Sequence, residues 1–144
     1  MGNKKDVDDR FKKFGTVSFT SISKINDFIS YLEDGKVMAS KCTECGFVFF
    51  PPRADCSHCL SASMEWNEVS GTGKLVTFST LQFAPVGFED DVPYSIALLD
   101  YGDYKIFGRI AGDLPDDEIK IGMDMTTAVN TLPNGQLNYV FHKA

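Results

Sequence analysis

All four cysteines of the chain lie between residues 42 and 59, as two CxxC pairs separated by ten residues. Cys42 and Cys45 form the first pair, and Cys56 and Cys59 form the second. A CxxC turn lets two thiolates converge on one ion, because the backbone N–H groups of the turn point at the sulfurs, and two such turns complete a tetrahedral sulfur site. In a chain whose N-terminus shows no apolar leader, this pattern predicts metal ligation in place of disulfides.

A metal held by four thiolates is expected to be structural, since no coordination position remains for water. Zinc is the expected ion, although the same ligands accept iron. His58, inside the second pair, is not expected to ligate, because the four cysteines already fill the site. Gly46, after Cys45, suits the positive φ that such a turn needs, whereas Leu60, after Cys59, makes the second turn less favourable.

The segment between the pairs, GFVFFPPR at residues 46–53, predicts the hairpin of a small ribbon, which we assign to residues 37–70. Phe47, Phe49 and Phe50 present more apolar surface than a ribbon of this size can cover by itself. Two explanations stay open at this point. Either the rings pack against the neighbouring elements, or they form a surface that binds a partner or a ligand.

The residues ahead of the ribbon predict a helical segment, residues 1–36. Apolar residues recur at three- and four-residue spacing within 21–35, where the stripe consists of Ile22, Ile25, Phe28, Ile29 and Leu32. Ser21 or Ser23 suits the start of the helix, and Gly35 suits a left-handed C-terminal cap. The stripe is expected to dock on the neighbouring unit of the same chain.

Residues 71–144 predict a β-rich unit that follows a glycine-containing hinge at 70–74. Gly108 is expected to mark a bulge or a sharp bend. Five candidate strands lie at 75–83, 94–101, 104–112, 123–132 and 136–143. Five short strands with strong bends fit a small barrel, for which the OB-fold is the leading candidate. The predicted fold is therefore mainly β: an N-terminal helix, a four-cysteine zinc ribbon, and a five-stranded OB-fold barrel.

Charge and composition argue against several classes of function. The net charge is −6, and residues 71–144 carry 5 basic and 10 acidic side chains, which disfavours binding to nucleic-acid phosphates. No apolar run approaches the ~20 residues of a membrane helix, so a cytoplasmic location is expected. The acidic runs at 88–91 and 115–118 are interpreted as solvated loops. With no nucleophile and base in a recognisable motif, a stand-alone enzyme is not predicted.

Several segments of the chain resemble a known family. YLEDGKVMASKCTECGFVFFPPRADCSHC, MEWNEVSGTGKLVTFST, VPYSIALLDYG and IKIGM are similar to OB-fold proteins with a rubredoxin-like zinc ribbon, catalogued as domain-of-unknown-function family thirty-five and described as acyl-CoA-associated. The resemblance covers about residues 20–142. Leu60 departs from it, because the family usually has glycine there.

The resemblance implies a non-catalytic partner of a thiolase-like or ketosynthase-like subunit, or of a related acyl-CoA-processing aldolase or hydratase. Such a partner bridges subunits and completes or covers the pocket for coenzyme A, while the other subunit supplies the catalytic groups. In that role Lys41, Arg53 and Lys74 are expected to contact the phosphates of the coenzyme, with ordinary surface solvation as the alternative. Phe47, Phe49 and Phe50 would face the partner or the ligand.

Three hypotheses follow from the residues and the resemblance together. The first is an auxiliary subunit of a thiolase-type acyl-CoA complex that forms or cleaves carbon–carbon bonds. The second is a nucleic-acid-binding module, since ribbons and OB-folds both serve that purpose. The third is a rubredoxin-like electron carrier with iron at the four cysteines.

Overall fold

The computed structural model describes residues 8–16 and 25–144. A short 3₁₀ helix at Arg10–Lys13 precedes one α-helix, α1, at Asp27–Glu33. The helix is shorter than the predicted range 21–35, and the predicted cap at Ser21 or Ser23, like Ile22, lies outside the described residues. No helix in the described part of the chain is both long enough and apolar enough to span a bilayer.

The apolar stripe of α1 is buried as the spacing predicts. Phe28, Ile29 and Leu32 are the buried side chains of the helix. Gly35 follows the helix with a φ of +80°, and its N–H donates to the carbonyl of Leu32 at 3.0 Å. The predicted left-handed cap is therefore present.

The ribbon is a three-stranded antiparallel sheet. Its strands are β1 at Met38–Cys42, β2 at Val48–Phe49 and β3 at Met64–Glu68, and their order in the sheet is β2-β1-β3. The prediction that residues 46–53 are the ribbon hairpin is corrected, because this segment supplies only β2. The other strand of the hairpin is β1, on the far side of the first CxxC turn.

The second unit is a closed five-stranded barrel, which confirms the predicted barrel. The strands are β4 at Gly73–Leu81, β5 at Tyr94–Asp100, β6 at Lys105–Ile110, β7 at Asp124–Thr131 and β8 at Leu137–Lys143. Their order around the barrel is β4-β5-β6-β8-β7, and all neighbouring strands are antiparallel except β6 and β8, which are parallel. A 3₁₀ turn at Asp116–Glu118 lies between β6 and β7.

Gly108 has a different role from the predicted bulge. It pairs with Ala97 in a continuous register, and the irregularity of the barrel lies between Leu75 and Thr77 instead. A Cβ atom at residue 108 would lie 2.7 Å from Cε2 of Tyr139. Glycine is needed there because the Tyr139 ring packs directly on the backbone of β6.

Helix, ribbon and barrel share one hydrophobic core. Buried members of the same cluster come from α1, from the ribbon and from the barrel, among them Ile29, Leu32, Val37, Ala39, Val69, Leu75, Leu99, Ile106 and Phe141. The three units therefore hold one another in a fixed arrangement, and the ribbon does not hang free from the barrel.

Candidate metal centre and the aromatic surface beside it

The ribbon brings the four cysteine sulfurs to one point. The Sγ atoms of Cys42, Cys45, Cys56 and Cys59 all lie within 4.8 Å of one another. The Sγ–Sγ distance is 3.5 Å for Cys42 and Cys59 and 3.6 Å for Cys45 and Cys56. A tetrahedral ion with metal–sulfur bonds of about 2.3 Å places its ligands about 3.8 Å apart. The residues therefore fit a four-coordinate metal with only small movements, whereas disulfide bonds need sulfurs about 2 Å apart.

The two CxxC turns are built in the same way. Gly46 donates its N–H to the carbonyl of Cys42 at 2.9 Å, and Leu60 donates to the carbonyl of Cys56 at 3.0 Å. Gly46 has a φ of +77° and Leu60 a φ of +64°. Among the described residues, Leu60 alone adopts a positive φ without being glycine. The second turn thus takes the geometry of the first, with the strain that the sequence predicts at Leu60.

The backbone of the turns favours the thiolate form that a metal needs. The N–H group of Cys45 lowers the pKa of Cys42. Burial raises the pKa of Cys56, but the N–H groups of Cys59 and His58 outweigh it and lower that pKa to about 7. The other two sulfurs behave differently. Hydrogen bonds with neighbouring cysteine sulfurs, together with burial, raise the pKa of Cys45 and raise the pKa of Cys59 to about 12. Thiolates are the ligating species, so the backbone prepares one sulfur in each CxxC turn for a cation.

His58 stands beside the metal cluster and outside it. The cluster of potential ligands in the described residues consists of the four cysteines. The imidazole ring of His58 instead stacks on Phe47, with ring centroids 4.9 Å apart. His58 is therefore grouped with the aromatic rings of the ribbon and not with the sulfur cluster.

Phe47 and Phe49 form an outer aromatic surface on the ribbon. Their rings stack with centroids 5.3 Å apart, and the Phe47 ring also stacks on His58. Phe47 is 46% exposed. The guanidinium of Arg53 lies over the Phe49 ring, 5.5 Å from its centroid. We call these four residues, Phe47, Phe49, Arg53 and His58, the aromatic surface.

Phe50 points the other way and joins the three units. Its ring meets Phe28 of α1 at 6.3 Å and Tyr139 of β8 at 5.1 Å, both edge to face. Of the two explanations left open for the phenylalanines, internal packing therefore describes Phe50. The exposed position of Phe47 leaves the second explanation for the aromatic surface.

The three cations singled out in the sequence lie in different surroundings. Arg53 belongs to the aromatic surface, and its backbone N–H donates to the hydroxyl of Ser40 at 2.8 Å. Lys41 lies on β1 opposite Glu65 of β3. Lys74, at the start of β4, makes an ion pair of 2.5 Å with Asp124 of β7. Arg53 is thus the cation that the structure brings together with the exposed aromatic rings.

Sequence reasoning missed a second cluster, on the barrel. Arg109 of β6 forms an ion pair of 3.0 Å with Asp91. Its guanidinium lies 4.0 Å from the ring centroid of Tyr94 and 5.5 Å from that of Phe88. The acidic run at 88–91 is therefore not uniformly solvated, since Asp91 is a half-buried ion-pair partner. No local pattern indicates this contact, because the barrel brings the two residues together.

Two family models match the chain in succession. Residues 30–65 match the model described as ChsH2, rubredoxin-like zinc ribbon domain. Residues 66–130 match the model described as ChsH2, C-terminal OB-fold domain. The junction of the two models falls within β3, close to the boundary between the ribbon and the barrel.

Three archaeal proteins, each named DUF35 domain-containing scaffold protein, are similar in sequence. The one from Methanocaldococcus jannaschii is 37% identical over 59% of this chain and 61% of its own length. The one from Pyrococcus furiosus is 33% identical over 66% of this chain and 69% of its own length. The one from Methanothermobacter thermautotrophicus is 33% identical over 58% of this chain and 63% of its own length. The matched part of this chain thus spans about three fifths to two thirds of these relatives.

Two solved structures share the fold. A chain of the Ltp2-ChsH2(DUF35) aldolase superposes with a TM-score of 0.71 at 22% identity, covering 88% of this chain and 98% of its own. A DUF35 protein of unknown function from Sulfolobus solfataricus superposes with a TM-score of 0.52 at 21% identity, covering 82% of this chain and 81% of its own. At these identities the likeness establishes the fold.

Proposed function

Because this chain belongs to the DUF35 family, whose members join a zinc ribbon to an OB-fold barrel, we propose that it is a non-catalytic scaffold subunit of a complex that acts on acyl-CoA thioesters. The observation that carries the proposal is the exposed aromatic surface, held on a ribbon that the metal centre braces. The three archaeal relatives are named scaffold proteins, which supports the same role.

The metal in this proposal is zinc, held by Cys42, Cys45, Cys56 and Cys59. With four thiolates bound, zinc has no vacant position for a substrate, so its contribution is to fold the ribbon. Thiolates remain reduced and available for a metal in the cytoplasm, which is where we place the complex.

The partner we propose is an enzyme that makes or breaks carbon–carbon bonds, of the thiolase, ketosynthase or aldolase type. The aldolase that shares the fold of this chain carries a DUF35 protein in its name, which supports this class of partner. The partner supplies the catalytic groups, and this chain supplies a wall of the substrate site. Phe47 and Phe49 suit such a contact, because aromatic rings give large contact areas at low cost in side-chain entropy.

The coenzyme A part of the proposal rests on Arg53. Arg53 is exposed and its guanidinium lies over the Phe49 ring, where it can donate to a phosphate while the ring covers another part of the ligand. Lys41, on the adjacent strand, is the second candidate. Lys74 is the weakest, because its ammonium is already paired with Asp124.

Reconstitution with the purified partner enzyme tests this function. We expect the partner to lose most of its activity without this chain and to regain it when the chain is added. The double substitution Phe47→Ser/Phe49→Ser should weaken binding by about 10- to 100-fold, as expected for two aromatic contacts in an interface. Ile121→Ser is the control, because it removes an exposed apolar side chain from the barrel and leaves the ribbon unchanged. Full activity of the partner in the complete absence of this chain would refute the scaffold role.

A further inference from the structure

The loop that joins β4 to β5, residues 82–93, carries the two most exposed large apolar side chains in the described part of the chain. Phe83 is 90% exposed and Val86 is 91% exposed. Each therefore leaves nearly all of its apolar surface in water, where burial against another molecule would be favourable. Two such side chains on one loop indicate a surface that another molecule covers.

The base of this loop is fastened to the barrel. The carboxylate of Asp91 accepts hydrogen bonds from Arg109 at 3.0 Å and from the hydroxyl of Thr16 at 3.2 Å. The same guanidinium lies over the ring of Phe88 in the loop and over the ring of Tyr94, the first residue of β5. Because Arg109 is part of a barrel strand, these contacts fix where the loop leaves the barrel.

Hydrogen bonds inside the loop fix its shape as well. The N–H of Phe88 donates to the carbonyl of Pro85 at 3.0 Å, and the N–H of Asp91 donates to the carbonyl of Phe88 at 3.0 Å. The N–H of Gly87 donates to the carboxylate of Glu89 at 2.8 Å. A loop ordered in this way presents its apolar tip without a large further loss of entropy on binding.

The apolar surface continues from the loop along the barrel. Leu81 and Phe88, at the two sides of the loop, line an open groove of about 410 Å³ that also contacts Ile96 and Phe107. Phe107 is itself more than half exposed. The groove is large enough for an apolar side chain that enters from the opposite direction.

Charge decides which occupant this surface suits. Residues 82–93 contain three carboxylates and no basic residue, and Arg109 neutralises only Asp91. Glu89 and Asp90 stay exposed beside the apolar tip. An anionic lipid surface would repel this loop. Two copies of the loop that met about a twofold axis would repel each other for the same reason.

We propose that residues 82–93 form a docking loop for a protein, and that Phe83 and Val86 enter an apolar pocket whose rim carries Lys or Arg. The proposal rests on the scaffold function and adds to it a second contact, on the barrel instead of the ribbon. The acidic side chains flank the apolar tip and meet the basic rim, as in interfaces with an apolar centre and a polar periphery.

Photo-crosslinking from the tip of the loop identifies the occupant. The full chain is produced in cells of its source organism with p-benzoylphenylalanine in place of Phe83, and in a matched sample in place of Ile121. Residue 121 is an exposed apolar position on a different loop of the barrel. We expect position 83 to crosslink to one protein, at a peptide that contains apolar residues beside Lys or Arg, and position 121 to give no such product.

Binding of the purified crosslinked protein then tests the chemistry of the contact. Phe83→Ser should raise the dissociation constant by about 10- to 100-fold, which corresponds to about 1.4–2.8 kcal/mol of lost binding free energy. Ile121→Ser should leave it unchanged. Glu89→Lys with Asp90→Lys should slow association and reverse its salt dependence. Asp34→Lys with Glu68→Lys makes the same change in net charge at two exposed positions elsewhere and should have a much smaller effect.

The outcomes separate this inference from the scaffold function. Crosslinks from position 83 only to lipid or to another copy of this chain would overturn the docking loop, as would equal affinity of the wild type and Phe83→Ser. If an acyl-CoA enzyme binds the chain and Phe83→Ser does not weaken it, the docking loop fails and the scaffold function stands. If position 83 crosslinks to a basic-rimmed protein and no acyl-CoA enzyme binds the chain, the docking loop stands and the proposed function fails.

Discussion

Removal of the metal should unfold the two CxxC turns and leave the rest of the molecule folded. Between residues 42 and 63 the buried residues are Cys42, Pro52 and Cys56, two of which are ligands. Ordering a residue costs about 1–2 kcal/mol of backbone entropy. Three buried residues therefore cannot hold segments 43–47 and 53–62 in place by packing alone. Metal ligation, at about 10–16 kcal/mol in small zinc domains, is the contribution of sufficient size.

The shared core predicts where this unfolding stops. Val37, Ala39 and Val69 connect the ribbon to α1 and the barrel, and none of them lies in the CxxC turns. Strands β1 and β3 pair along their whole lengths, from Met38 opposite Glu68 to Cys42 opposite Met64. We therefore expect this strand pair and the barrel to persist without metal.

Hydrogen exchange monitored by mass spectrometry resolves the two regions. After treatment with a chelator and a reductant, the amides of Gly46 and Leu60 should exchange at the rates of an unstructured peptide, since the free energy of local opening falls near zero. Barrel amides should change little. Trp66, the single tryptophan, lies on β3 with its ring 5.4 Å from that of Tyr31, and it should keep its emission maximum.

Matched variants separate ligation from other effects of a change in the second turn. Cys56→Ser should reproduce the loss of protection and lower the metal content, whereas Ser57→Ala and His58→Ala should each retain one metal per chain. Unchanged protection of residues 43–47 and 53–62 in metal-free protein would refute the reasoning. So would a red shift of Trp66 together with loss of barrel protection, because both would show that the turns support the whole fold.

Three further predictions concern stability. Gly108→Ala should destabilise the fold by about 1–3 kcal/mol in urea denaturation, because the added Cβ would lie 2.7 Å from the Tyr139 ring. Gly112→Ala is the control and should leave the stability unchanged, because its Cβ would meet no atom within 4 Å. Equal effects of the two substitutions would contradict the packing argument. Burial raises the pKa of Tyr139 from 10 to about 12. The stability that the neutral phenol contributes is therefore complete below pH 10 and is lost as the pH rises toward 12. Tyr139→Phe should remove this loss from the profile of unfolding free energy against pH. The hydrogen bond from Arg10 lowers the pKa of Asp8 from 3.8 to about 2. The stability that the ionised carboxylate contributes is therefore present above pH 3.8 and is lost as the pH falls toward 2. The unfolding free energy of Asp8→Asn should change less with pH over that window.

The metal centre could be predicted from the sequence because its information is local. Four ligands within one short segment define the site, and the need for a positive φ at Leu60 followed from the place of Gly46 in the first turn. The expected five strands followed in the same way from alternating residues. The particular pairing that closes the barrel did not, since β6 and β8 pair in parallel although β7 lies between them in the sequence, and no local pattern specifies that pairing.

The two faces of the ribbon phenylalanines also follow from a local pattern. Alternation along an extended chain places Phe47 and Phe49 on one face and Phe50 on the other, and the structure has this arrangement. The contact of Asp91 with Arg109 is a different case. Those two residues meet only through the barrel fold, so the interpretation of the acidic run as solvated was reasonable on local grounds and wrong for Asp91.

The aromatic surface and the docking loop are linked by an unbroken series of contacts. Phe50, next to the aromatic surface, packs against Tyr139 of β8. The hydroxyl of Tyr139 donates to the carbonyl of Phe107 in β6 at 2.7 Å, and Arg109, two residues further along β6, holds the loop through Asp91. A partner that engages both surfaces therefore meets them at one fixed separation and angle. Such a pair of surfaces selects a partner by its geometry as well as by its chemistry, because a protein that satisfies one contact in the wrong orientation forfeits the other.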